Sequence, residues 1–306
     1  MLIVPYKADL NHDRIPFITL LVMVLCLAIY TNQSMNEEKF VQASEDFCAE
    51  KSSVLFRLVL KNATGSSGQN ACLETMVNAH LSDDQRQYIK DLVQKGKPLS
   101  GYTVAKGNAI SEQVLWGRYQ DYTDVTPAYE TRQLWYMPES WDVPSMITAA
   151  FAHGSWLHVV GNLVFFFAFA VAVEMIIGSV RFIGVLLGLA IGTHIFYSLA
   201  MMGVDTPPPT VGLSGVVMGM LALFAYFLPH GRIRIFFWFI VFFRRFSIPA
   251  WFVAMWFVGW DVYSLVTDDG QSQINFVAHI SGAALGYTAG LLLFRKQRER
   301  VAALSV

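Results

Sequence analysis

The chain has 306 residues, 54% of them hydrophobic and only 15% charged, with a formal net charge of -1 at pH 7. Soluble domains carry about 45–50% apolar and about 25% charged residues, so this composition excludes a soluble protein of this size, and the near-neutral balance excludes a basic face for nucleic acid. Cys26, Cys48 and Cys72 are too few for a disulfide scaffold, and no Cys or His pair at metal-ligand spacing is joined by a second such pair, so no metal site is expected.

Residues 1–14 form a short polar start with Lys7 and Arg14, assigned to a cytoplasmic N-terminus. Ile15 to Tyr30 is then almost unbroken apolar sequence, which at about 1.5 Å per residue just spans a core of about 30 Å. The first transmembrane helix is placed at 15–32. Leu27-Ala28-Ile29-Tyr30 lacks the small-x-small pattern of a cleaved signal peptide. Over 33–144 charges return and apolar residues fall at helical spacing, as in Phe40, Ala43, Phe47 and in Leu81, Tyr88, Leu92. This stretch reads as a mostly helical, extracytoplasmic insertion whose Cys48 and Cys72 either pair or remain free thiols.

From 145 to 294 the chain reads as a membrane core, with further spans at 156–177, 180–203, 212–229, 247–266 and 275–294. Between two of them, Arg232 to Arg245 is apolar sequence bracketed by arginines and too short to span, which reads as an interfacial segment. The tail 295–306 opens with the basic run Arg295-Lys296-Gln297-Arg298. Lys7, Arg14, Arg181, the 232–245 arginines and this tail all fall on one side of a six-span topology. The opposite short loops hold Asp205 and Asp268-Asp269-Gly270-Gln271 without Lys or Arg. The positive-inside rule therefore predicts two cytoplasmic termini in a cell inner (plasma) membrane.

Four polar groups then fall near the outer face. Ser214 opens a helix in Gly212-Leu213-Ser214-Gly215, after a loop that three consecutive prolines keep out of a helix. His158 and Asn162 are one turn apart on one helix face. His279 stands three residues before Gly282 on a face continued by Gly286 and Gly290. Such polar groups are costly inside a bilayer and mark function by default. The small-residue stripe Gly215, Gly219, Ala222 complements the groove at Gly282 and Gly286, and helices meeting on those faces bring His279 to Ser214. A histidine so placed can take the serine proton during attack on a carbonyl, with the Ser214 N–H, His158 and Asn162 as donors to the oxyanion. A transporter fits less well, because the polar groups gather at one surface and no inverted repeat is visible.

These residues resemble the rhomboid family of intramembrane serine proteases. Gly212-Leu213-Ser214-Gly215 is similar to its nucleophile motif, and His158 to Asn162 to its H-x-x-x-N. Ala278-His279 through Gly282 to Gly286 resembles its last-helix A-H-x-x-G-x-x-x-G, and Ala152 to His158 is also family-like. The resemblance implies an all-α, six-transmembrane-helix bundle and a Ser214–His279 dyad. It implies hydrolysis of peptide bonds in or beside the transmembrane segments of membrane-protein substrates within the lipid bilayer, without cofactor. It further implies that Glu174 is a structural hydrogen-bonding residue, with Gly212, Gly215, Gly219, Gly282 and Gly286 in support. Met218 departs from the pattern, because many members carry there an aromatic that stacks on the histidine. The alternative is a catalytically inactive relative that binds membrane clients.

Overall fold

The computed structural model describes residues 2–8, 15–239, 242–268, 272 and 274–304. Arg14 and Asp269-Gly270-Gln271, used above for orientation, lie outside the described residues. The chain divides into two compact units, one of Met1–Thr31 with Leu134–Val306 and the other of Asn32–Gln133.

Strand β1 (Leu2–Ala8) precedes helix α1 (Phe17–Ala49). α1 has 33 residues, about 50 Å at 1.5 Å each. The helix continues past 32, where the first span was placed to end, because no glycine or proline falls between Phe17 and Ala49 and the hydrogen-bond ladder runs on through the polar turn at Asn32–Lys39. Its first half places Val22, Cys26 and Tyr30 on one face in the core of the first unit.

The second unit is helical: α2 (Val54–Thr64), α3 (Gln69–Leu81), α4 (Gln85–Lys95), α5 (Val104–Val125) and α6 (Glu130–Leu134) follow. Caps set the starts. Ser53, Asp84 and Thr103 accept from the backbone N–H three residues on, opening α2, α4 and α5. Phe47, Phe56, Val59, Leu60, Met76, Ile89, Leu115 and Tyr122 close a side-chain core, and Cys48 is bonded to Cys72.

The first unit resumes with α7 (Val143–Phe151), α8 (Trp156–Ile177), α9 (Ser179–Met201) and α10 (Ser214–Phe227). Strands β2 (Arg232–Phe239) and β3 (Phe242–Pro249) come next, then α11 (Ala250–Thr267), α12 (Phe276–Leu293) and α13 (Arg295–Leu304). Among the described residues five helices, α1, α8, α9, α11 and α12, are long and apolar enough to cross a membrane. α10 is apolar but has only 14 residues, about 21 Å against a hydrocarbon core of about 30 Å. Of the six expected spans, five thus fall on helices of that length and one, expected at 212–229, falls on this shorter helix.

The membrane elements are helices, as expected, but a three-stranded antiparallel sheet in the order β1-β2-β3 was not foreseen. Arg232 to Arg245, read above as interfacial, pairs as strands, with Arg234 opposite Ser247 and Phe236 opposite Arg245. The physical reason lies in Arg232-Ile233-Arg234-Ile235, a period of two followed by aromatics that favour a pleated surface. Pro249 ends β3 and starts α11, so this span begins at 250 rather than 247.

α10 is buried on all sides from Gly215 to Phe224, which is why it carries no polar face. Its closest neighbour is α12. A β-carbon on Gly282 would stand 2.1 Å from the Gly215 carbonyl oxygen, and one on Gly286 would stand 2.1 Å from that of Gly219. The two backbones therefore touch, an approach open only to glycine.

Candidate active site

The polar loop ahead of α10 is held from several sides. Tyr136 and Thr210 exchange backbone hydrogen bonds of 3.0 Å, and the Gly212 N–H donates to the Ala149 carbonyl of α7 at 2.8 Å. The Tyr197 hydroxyl of α9 donates to the Pro208 carbonyl at 2.7 Å, and Asn275 Nδ2 donates to Thr210 Oγ1 at 3.1 Å. Three prolines leave the loop few donors of its own, so its carbonyls are met by neighbouring elements. Gly212 then turns with φ 122°, in the region that only glycine occupies freely. Leu213 is buried behind it, and half-buried Ser214 is the first residue of α10. The N–H groups of that first turn have no acceptor within the helix and carry the positive end of its dipole.

Across the turn stands α8. Ser155 caps it, accepting from the His158 N–H at 3.1 Å. The Gly154 N–H donates to His158 Nδ1 at 3.5 Å, the outer limit of a hydrogen bond. With Nδ1 accepting, the proton sits on Nε2. That nitrogen faces Gly212: a β-carbon there would lie 2.8 Å from His158 Nε2 and 3.6 Å from Asn162 Nδ2. Asn162 Nδ2 is buried, and none of the described residues accepts from it. An unpaired buried donor costs free energy and is left ready for an acceptor, whether water or a bound group. Behind these groups His153 is fully buried, 5.1 Å edge-on to His158, and its burial pushes the imidazole down to about 4.

The third side is α12. Asn275 caps it, accepting from the Ala278 N–H at 2.9 Å. The carbonyl of Ala278 comes within 3.1 Å of where a Gly215 β-carbon would be, so the residue after Ser214 touches the residue before His279. His279 and His158 are near enough to interact electrostatically. No hydrogen bond among the described residues joins the Ser214 hydroxyl to His279. His279 is oriented from its other nitrogen: Nδ1 lies 3.1 Å from Asp261 Oδ2 of α11, with the two side chains 16% and 8% exposed. None of the candidates read from the sequence was Asp261. The signal was present, since it is the sole acid inside an otherwise apolar span.

Glu174 lies twelve residues past Asn162 on α8, about 18 Å along the helix. Its buried carboxylate accepts from the Ile18 and Thr19 N–H groups, the Thr19 hydroxyl and the Ser179 hydroxyl, at 2.7–3.0 Å. It caps the start of α1, where the helix dipole favours an anion. Gly219 fits between Leu189 and α12. Met218 is buried in the core of α10.

The Rhomboid domain family matches residues 139–296 of the chain. This chain belongs to the rhomboid family. It is a multi-pass membrane protein, and the matched stretch includes Ser214, His279, Asp261, His158 and Asn162. Rhomboid protein 1, mitochondrial, of Saccharomyces cerevisiae is 25% identical over 194 residues, covering 55% of this chain and 52% of that protein. The presenilin-associated rhomboid-like proteins, mitochondrial, of Rattus norvegicus and Homo sapiens are each 25% identical over 157 residues, covering 50% of this chain and 40% of theirs. The chain thus spans about half the length of the relatives it matches or somewhat less. No solved structure matches it. The unit Asn32–Gln133 lies wholly outside the rhomboid match.

Proposed function

We propose that this rhomboid is an intramembrane serine endopeptidase that hydrolyses peptide bonds in or next to the transmembrane segments of its substrates. The observation that supports it most is the backbone contact of α10 with α12, where Gly215 meets Ala278 and Gly282 and so sets Ser214 beside the turn that carries His279. In this reading His279 Nε2 takes the Ser214 proton as Oγ bonds to the scissile carbonyl carbon, and the carbonyl π pair moves onto oxygen. The oxyanion is met by the Ser214 N–H, His158 Nε2–H and Asn162 Nδ2–H, the last of which has no other acceptor among the described residues. Collapse breaks the C–N bond, and the amine leaves with the proton from Nε2. Water then attacks the ester and gives a proton to Nε2, and Ser214 departs with that proton, leaving a new carboxyl group.

With one end of α10 at a membrane surface, Ser214 lies about 9 Å beneath the other, by the difference between its length and a core of about 30 Å. A substrate strand there must leave its helix for its carbonyl to be reached, so the expected substrates carry helix-weakening residues at the cleavage point. The basic loops favour two cytoplasmic termini in a cell inner membrane. A mitochondrial membrane is the second setting, favoured by the names of the relatives. The test is cleavage of a single-pass substrate in liposomes. Wild type cuts, and Ser214→Ala and His279→Ala do not. Cutting by Ser214→Ala refutes the proposal, and folded wild-type protein that binds the substrate without cutting it favours an inactive, client-binding rhomboid.

A further inference from the structure

Asp261 is a costly residue where it stands. It is 6% exposed on α11, a helix otherwise apolar enough to cross a membrane, and a buried carboxylate is strongly unfavourable unless it is paired. Among the described residues its one side-chain partner is His279 Nδ1, at 3.1 Å. A carboxylate only accepts, so the Nδ1 proton is the donor and the Nε2 lone pair is left pointing away from α11. One turn further along α12, Gly282 meets the Gly215 carbonyl of α10. The imidazole is thereby held in the one tautomer that can act as a base toward Ser214.

We infer that Asp261 is a positioning residue, a third member that turns the Ser214–His279 pair into a Ser–His–Asp arrangement across α10, α12 and α11. This inference rests on the protease reading above and deepens it. It gives a physical role to an acid that no packing argument requires. It also explains how His279 is oriented when residue 218 is a methionine, which has no flat face to stack on an imidazole. As the hydroxyl proton moves to Nε2 the ring becomes a cation, and the Asp261 carboxylate beside Nδ1 stabilises that charge without itself taking the proton.

The experiment measures kcat and KM for cleavage of a transmembrane peptide in liposomes by wild type, Asp261→Asn, Asp261→Leu, Asp261→Glu and Ser214→Ala, each checked for folding by thermal melting. Asp261→Asn removes the carboxylate at constant size. Asp261→Leu fills the site with an apolar group that an interhelical packing role would tolerate. Both are expected to lower kcat at least about 10²-fold with KM within about twofold, and Asp261→Glu to recover a tenth or more of wild-type kcat. A folded Asn or Leu variant with kcat within threefold of wild type overturns the inference, as does a rise in KM at constant kcat. Loss of folding in all three substitutions also overturns it, by assigning Asp261 to the helix bundle itself. If Ser214→Ala still cuts, it is the protease reading that fails; if Ser214→Ala is dead while Asp261→Asn works, only the role of Asp261 falls.

Discussion

The two units of this chain are both helical, and they are held together in opposite ways. Asn32–Gln133 has capped helices and a side-chain core of Phe47, Leu60, Met76 and Tyr122, tied by the Cys48–Cys72 bridge. The rhomboid unit brings α10 and α12 together where side chains are absent, at Gly215, Gly219, Gly282 and Gly286. In water, burying large apolar side chains drives association. In lipid that drive is missing, and close backbone packing and interior polar bonds take its place. Removing side chains between two helices lets the flanking residues, Ser214 and His279, come close, while polar groups that would be solvated elsewhere stay inside.

The largest effect is expected from deleting an interior donor that no acceptor among the described residues uses. Asn162→Ala is expected to slow cleavage by about 10²–10³-fold, as for a lost oxyanion donor, with little change in melting, since Asn162 Nδ2 has no partner to lose among the described residues. A melting loss without a rate loss would make Asn162 a packing residue. Next is the bridge. Cys48→Ser removes a link across 24 residues, expected to cost about 3 kcal/mol in the stability of its own unit, read by chemical denaturation. Reactivity at Ser214 should be unchanged, because the bridge belongs to the other unit.

Each unit also contains a histidine whose burial lowers its basicity: His153, down to about 4, and His80, lowered by burial and then by the charge of Arg132. A folded pKa below the unfolded one means that the unfolded chain binds more protons, so stability is full above about pH 6.5 and falls as pH drops toward 4. For His153 the full effect is about 3 kcal/mol at one pKa unit per 1.36 kcal/mol. Melting temperature should fall from pH 7 to pH 5, and His153→Phe should flatten part of that slope. The smallest effect is expected from Gly286→Ala. Its β-carbon would lie 2.1 Å from the Gly219 carbonyl, so the helices must part, at about 1–3 kcal/mol. An unchanged melting temperature would contradict the backbone contact.

The sequence made Ser214, His158, Asn162 and His279 visible as candidates because a polar residue in an apolar run is conspicuous. Asp261 stood in the same kind of run, but its meaning depends on a partner eighteen residues away on another helix, and spacing along one helix carries no angle between two. The β2–β3 pair was missed for a different reason. Arginines bracketing aromatics suggested an amphipathic surface, and the two-residue period at Arg232–Ile235 was hidden by hydropathy. The end of the first span was likewise set by polarity at 32, whereas the helix itself ends only where the ladder stops, at Ala49. Whether Cys48 and Cys72 pair depends on folding them to within 5.7 Å between Cα atoms, which composition does not contain.

The most direct measurement is labelling of the purified, folded protein with a fluorophosphonate, which reports an activated serine without requiring a known substrate. The account predicts that wild type is labelled and that Ser214→Ala and His279→Ala are not. Labelling of Ser214→Ala at the wild-type rate, or none of the folded wild type, would contradict it.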